Sequence, residues 1–73
     1  MEKKIILIIS KIFKKKKIQL KDSPKTIPKW DSLGHLELVS YLNKFFKIEI
    51  SFEDTIKIKN VLGVIKVCKK YNK

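Results

Sequence analysis

Seventy-three residues make one small domain, too short for an enzyme cleft and in the size range where a single core is only just sufficient. A hydrophobic fraction of 44% is ordinary for a globular chain, whereas two glycines and two prolines leave little material for the turns of an all-β fold, so helices are favoured. The net charge of +11 rests on lysine alone, with arginine and alanine both absent; such a composition follows codon supply as much as a binding demand, which weakens the usual step from a basic chain to nucleic acid.

From Glu2 to about Lys15 the residues Ile5, Ile6, Ile8, Ile9, Ile12 and Phe13 recur at three- and four-residue spacings with lysines between them, which predicts a first amphipathic helix. Lys14 to Lys17 is a self-repelling run. The segment through Asp22-Ser23-Pro24 and Ile27-Pro28 to Trp30 carries two prolines and reads as a long loop, pinned to a core at scattered apolar points, with Trp30 plugging the end of the bundle. A second helix is expected from Asp31-Ser32-Leu33, with Asp31 as its N-cap, to Phe46 or Lys47. Its inward stripe reads as Leu33, Leu36, Val39, Leu42 or Asn43, and Phe46, widened by Leu38 and Phe45.

Ile48 to Ser51 reads as a short extended link, and Glu53 to Ile58 as a brief helix with acids at its favourable end. Asn60 is expected to cap a last helix from Val61 to about Tyr71, with Val61, Leu62, Ile65 and Cys68 facing inward. The expected architecture is all-α: one domain over residues 1–73, a small bundle of three main helices and a short third one, with a long first loop.

Cys68, the only cysteine, cannot form an internal disulfide and reads as a small core residue; His35, the only histidine, has no partners at metal-ligand spacing and reads as a rim residue rather than a catalyst. A reducing cytoplasm is the expected compartment. The apolar run Ile5 to Ile9 is far shorter than a secretory core or a membrane span, so the chain is expected to be soluble and unprocessed.

Charge is unevenly placed. Residues 1–30 hold ten lysines against Glu2 and Asp22, a net +8, and residues 55–73 hold six lysines and no acid, a net +6. Residues 31–54 run the other way, with Asp31, Glu37, Glu49, Glu53 and Asp54 against Lys44 and Lys47, a net −3. Within that acidic stretch Ser32 falls in the first turn of the second helix, where a hydroxyl points to solvent and a phosphodiester built on it would sit beside free N–H groups and the positive end of the helix dipole. Leu33 and Leu36 would line the mouth of the apolar core.

The segment Trp30-Asp31-Ser32-Leu33-Gly34-His35-Leu36-Glu37-Leu38-Val39 resembles the attachment motif of acyl and peptidyl carrier proteins, whose core is Asp-Ser-Leu. Phe46-Lys47-Ile48-Glu49-Ile50, Phe52-Glu53-Asp54 and Ile58-Lys59-Asn60-Val61 fall where that family places the end of helix II, helix III and the start of helix IV, and Asp22-Ser23-Pro24 and Ile27-Pro28 are also similar. The resemblance implies a non-catalytic acyl carrier. A phosphopantetheinyl transferase would move 4'-phosphopantetheine from coenzyme A to Ser32, flanked by Asp31 and Leu33, and the arm would carry acyl or aminoacyl groups as thioesters. Partners would be acyl-loading and acyl-using enzymes of fatty-acid, polyketide or related biosynthesis, docking on the acids Glu37, Glu49, Glu53 and Asp54 together with Asp31. Leu36, Val39, Leu42, Phe46, Ile58, Val61, Leu62 and Ile65 would line the acyl chain, and the protein would be monomeric.

Two features depart from the family pattern. The chain is basic where such carriers are acidic, and Gly34-His35 stands where an acid often follows the motif; with Lys44 and Lys47 interrupting the acidic face, this points to a dedicated partner set. The competing functional class is a lysine-rich helical module that binds nucleic acid or an anionic membrane surface through the first helix and Lys14 to Lys17. Against it stand the absence of arginine and of a recognisable recognition helix. A third class is a protein-interaction module in which Ser32 stays unmodified.

Overall fold

The computed structural model describes residues 1–71, which form four helices: α1 (Glu2–Phe13), α2 (Ser32–Phe46), α3 (Phe52–Lys57) and α4 (Val61–Tyr71). No strand is present among the described residues. α1 packs against both α2 and α4. Its buried stripe Ile5, Ile8, Ile9 and Phe13 meets Leu38, Val39 and Leu42 of α2 and Val61, Val64, Ile65 and Cys68 of α4 in one core, which Ile27, Trp30, Ile50 and Ile58 close from the connections. Each fully buried leucine or isoleucine there is worth roughly 1.5–3 kcal/mol of transfer free energy, so this core supplies most of what a chain of this size has. Burial also pushes the Cys68 thiol up to about 11, which leaves it an inert core residue.

α1 stops at Phe13 rather than near Lys15. Lys14 turns into the left-handed region (φ 52°), and the Lys14 and Lys15 N–H groups both return to the Ser10 carbonyl while the Ser10 hydroxyl donates to the Lys15 carbonyl at 2.6 Å. Lys47 ends α2 in the same way at φ 55°, its N–H and that of Ile48 both reaching the Asn43 carbonyl.

The long loop is ordered by its own polar groups. The Asp22 carboxylate accepts the Gln19 N–H at 2.7 Å and the Thr26 hydroxyl at 3.0 Å, with Lys15 at 3.8 Å; these, the Gln19 N–H first, hold its carboxyl below the usual range. The backbone carbonyls of Asp22 and Leu20 then accept the N–H groups of Val61 and Leu62, and the Asn60 side chain accepts that of Gly63 at 2.8 Å. The first three N–H groups of α4 therefore all have partners, and the loop is bound to the helix it caps.

α3 is held differently. Ser51 caps it by accepting the Asp54 N–H at 3.1 Å, and the Asp54 carboxylate, only 6% exposed, accepts the Tyr71 hydroxyl at 2.6 Å and the Lys70 ammonium at 2.9 Å from the far end of α4. The Tyr71 oxygen in turn accepts the Ser51 N–H at 2.9 Å. The Tyr71 hydroxyl, and after it Lys70, pull the Asp54 carboxyl down to about 2, and Asp54 raises Lys70 in return.

Gly34 is required by close approach. A Cβ there would collide with the Lys29 carbonyl and would lie 3.1 Å from the Phe13 ring, so only glycine lets the loop cross the first turn of α2. Gly34→Ala should lower stability by about 1–3 kcal/mol through overpacking, although alanine is the better helix former by about 1 kcal/mol. Gly63→Ala, whose Cβ would meet the Asn60 side-chain oxygen at 3.3 Å and the Ile58 Cα at 3.7 Å, should be tolerated. Denaturant midpoints followed by circular dichroism check the contrast, and a Gly34→Ala protein as stable as its parent would contradict it.

The Asp54 cluster gives an acid-sensitive contribution of known sign. An unfolded aspartate titrates near ~3.9, so a native carboxyl held at about 2 stabilises the fold fully above the unfolded value, and that stabilisation is lost as pH falls towards about 2. Asp54→Asn should lower the melting temperature at neutral pH, and the gap to the parent should narrow steadily as the pH drops from about 5 to about 2. A gap that stays constant over that window would show the clamp to be inert.

Candidate functional site

Ser32 is the first residue of α2 and is exposed. The residue before it sets its position: Asp31 lies in extended backbone (φ −94°, ψ −169°), accepts the Gly34 N–H on its side chain at 2.8 Å and accepts the His35 N–H on its carbonyl at 2.8 Å. The N–H groups of Ser32 and Leu33 have no acceptor among the described residues and face solvent at the positive end of a fifteen-residue helix whose first turn carries no acid.

Behind this turn Trp30 is 1% exposed, stacked on Phe13 (ring centres 5.4 Å apart, 23° between planes) and on His35 (6.1 Å, 18°). Its indole N–H donates to His35 Nδ1 at 2.8 Å, and His35 Nε2 lies 2.8 Å from the Thr55 carbonyl. An indole nitrogen only donates and a carbonyl only accepts, so the ring is the neutral tautomer with its proton on Nε2. Both nitrogens are thus engaged, one tying α2 to the loop at Trp30 and the other to α3, and neither is free for proton transfer.

Ser32 stands at the edge of an open groove of about 1100 Å³. Its walls are the loop at Lys21, Ser23 and Lys25, the start of α2 at Asp31 and Leu36, α3 at Phe52 and Ile56, and the turn at Ile58, Lys59 and Asn60. Phe52 is 77% exposed, Leu36 59% and Ile56 55%, so exposed apolar side chains and lysines line the groove together. A second, shallower hollow of about 410 Å³ lies on the outer face of α2 between Leu36, Glu37, Tyr41 and Lys44.

Several expected positions fall elsewhere. α2 turns Gly34, Leu38, Val39 and Leu42 inward, so Leu33 and Leu36 stand on the solvent side rather than in an inward stripe, and Phe45 is likewise exposed. Of the residues expected around an acyl chain, Val39, Leu42, Ile58, Val61 and Ile65 are buried, Phe46 is half-buried against them, and Leu36 and Leu62 are exposed. Leu62 sits one position past the buried Val61, and Val64 takes the inward place expected for it. Asp54 is not available as a docking acid, because its carboxylate is buried in the clamp with Tyr71 and Lys70; Glu37, Glu49 and Glu53 are exposed. The lysines of the groove and the pair Phe52 and Ile56 were not singled out from sequence; the only available signal was the apolar spacing of the short third helix.

No group of three or more metal-ligating side chains occurs among the described residues, and no described helix is long and apolar enough to cross a membrane. No protein-family model and no curated protein matches this sequence. Solved structures do match in shape, among them two acyl carrier proteins. The solution structure of a holo acyl carrier protein from Geobacter metallireducens superposes with a TM-score of 0.85 at 25% identity, over 96% of this chain and 83% of that one. A candidate acyl carrier protein from Mycobacterium tuberculosis superposes with a TM-score of 0.85 at 28% identity, over 94% of this chain and 95% of that one. Because the agreement runs through all four helices and the long first loop, and the matched proteins are carriers rather than enzymes, the chain has the acyl carrier protein fold.

Proposed function

We propose that this protein is an acyl carrier whose 4'-phosphopantetheine arm is bonded to Ser32. The observation that carries the reading is an exposed serine hydroxyl on the first turn of α2, fixed by the Asp31 cap at the open edge of a groove. The arm would come from coenzyme A through a transferase: the Ser32 oxygen forms a new bond to phosphorus, the bond to the nucleotide phosphate breaks, and the hydroxyl proton passes to a base of the transferase.

The residues present fit that group. A phosphodiester on Ser32 would meet the two free N–H groups of Ser32 and Leu33 at the positive end of α2. When bound, the arm supplies a terminal thiol that holds acyl or aminoacyl groups as thioesters. Asp31 keeps the hydroxyl outside the packed face; Trp30 and His35 keep the turn that bears it from sliding; Leu33 and Leu36 give a partner enzyme apolar contact beside the attachment point. Of the acids, Glu37, Glu49 and Glu53 remain for partner contact, and the acyl chain would lie along Leu36 and, on opening of the bundle, against Val39, Leu42, Phe46, Ile58, Val61, Leu62 and Ile65. The protein would act as a cytoplasmic monomer that serves fatty-acid, polyketide or related biosynthetic enzymes.

Incubating the apo protein with coenzyme A and a broad-specificity phosphopantetheinyl transferase should add the mass of one phosphopantetheinyl group. Ser32→Ala should abolish the gain and leave the melting temperature nearly unchanged, since the side chain is exposed. Asp31→Ala should cost about 1 kcal/mol of stability and slow loading as the first turn frays. An unmodified wild-type protein under these conditions, or a mass gain that survives Ser32→Ala, would overturn the assignment.

A further inference from the structure

The groove at Ser32 has the wrong charge for a partner with a basic surface. Three exposed lysines, Lys21, Lys25 and Lys59, line it, and none of them forms an ion pair among the described residues. Asp31, the one carboxylate in the groove, uses an oxygen to cap α2. Glu37 and Glu53, though exposed, are not part of its walls.

The surroundings add to the same sign. Phe13, the last residue of α1, lies against Gly34 and Trp30, so the loop that follows it starts at the end of the bundle where α2 begins. Residues 14–29 of that loop carry seven lysines, and their single acid, Asp22, is buried and satisfied within the loop. The loop that runs from this end of the bundle is therefore strongly positive, and Lys21 and Lys25 bring that charge to the groove.

We propose that the groove beside Ser32 is the docking site for a partner enzyme that inserts an apolar side chain between Leu36, Phe52 and Ile56 and surrounds it with acidic residues facing Lys21, Lys25 and Lys59. This rests on the carrier reading, since a partner must reach Ser32, and it specifies the charge of that partner. An apolar patch flanked by charge that is mostly of one sign fits the ordinary anatomy of a protein interface, an apolar core with a polar rim whose charges steer the encounter and select the partner. The surface is concave, which suits a protruding side chain better than the flat face of a bilayer. It also has no arginine fork, the group that binds the phosphates of nucleic acid most tightly.

The test uses the apo protein, coenzyme A and two phosphopantetheinyl transferases, one with an acidic and one with a basic carrier-docking surface, with loading followed by mass. Lys21→Glu combined with Lys25→Glu and Lys59→Glu should raise KM for the acidic-surface transferase by about ten-fold or more at low salt with kcat unchanged, and the difference should shrink at high salt. The same variant should lower KM for the basic-surface transferase. Lys25→Gln with Lys59→Gln, which spares the Asp22 region, should move both values in the same directions by less, and circular dichroism confirms that each variant is folded. Values of KM that ignore the reversal, or move oppositely, would overturn the inference. So would salt-sensitive co-sedimentation with phosphatidylglycerol–phosphatidylcholine vesicles that the reversal abolishes while KM stays fixed, because the groove would then serve a lipid surface. A wild-type protein loaded by neither transferase would instead sink the carrier reading, and this inference with it.

Discussion

Trp30 lies between Phe13 of α1 and His35 of α2, and its one polar atom is spent on His35, whose other nitrogen reaches the Thr55 carbonyl of α3. Two helices and the end of the loop thus share one aromatic stack, and its hydrogen bonds extend it to a third helix. Asp31 follows Trp30 directly, so the plane of the indole sets where α2 can begin, and Ser32 follows Asp31. A loop of this length could take many paths. This one is held at Trp30, at the Gly34–Lys29 crossing and at the carbonyls that cap α4, and the exposed serine is a consequence of those three ties.

What could be read from sequence and what could not divides along a physical line. Asp31 and Asn60 act on N–H groups three residues away, so the starts of α2 and α4 were legible from neighbours in the chain. Apolar spacing was legible in α1, where isoleucines mark the buried side. It misled in α2, because the residue that makes the closest contact is Gly34, which has no side chain for a hydrophobic count to register, while exposed leucines lie on the other face. The end of α1 was missed for a related reason: a left-handed turn is usually announced by glycine, and here Lys14 makes it. Asp54 and the groove lysines needed contacts between residues far apart in the chain, which no local pattern contains.

A carboxylate is a scarce resource in a chain with eighteen lysines and seven acids. The fold spends four of them internally. Glu2 pairs with Lys69, Asp22 orders the loop, Asp31 caps α2 and Asp54 fastens α3. The acidic character of residues 31–54, evident when charges are summed along the sequence, is therefore weaker at the surface than it looks, since two of the five acids there are engaged in holding helices. Lys21, Lys25 and Lys59, exposed and outside the ion pairs of the described residues, are not engaged in this way. Position in the fold, rather than the sum, decides which sign a visitor to Ser32 meets.

The same division separates two kinds of attachment within the bundle. α1, α2 and α4 meet through the apolar core, whose strength varies little with pH. α3 has six residues and leaves Phe52 and Ile56 in solvent; what fixes it is the Ser51 cap, the His35–Thr55 bridge and the Asp54 clamp to Lys70 and Tyr71. These are polar ties, for which water competes, rather than buried apolar contacts. α3 supplies none of the buried apolar residues of the core, and it forms one wall of the groove at Ser32. The wall beside the attachment point thus rests on polar ties, whereas the turn that bears the serine is anchored through Trp30 to the apolar core.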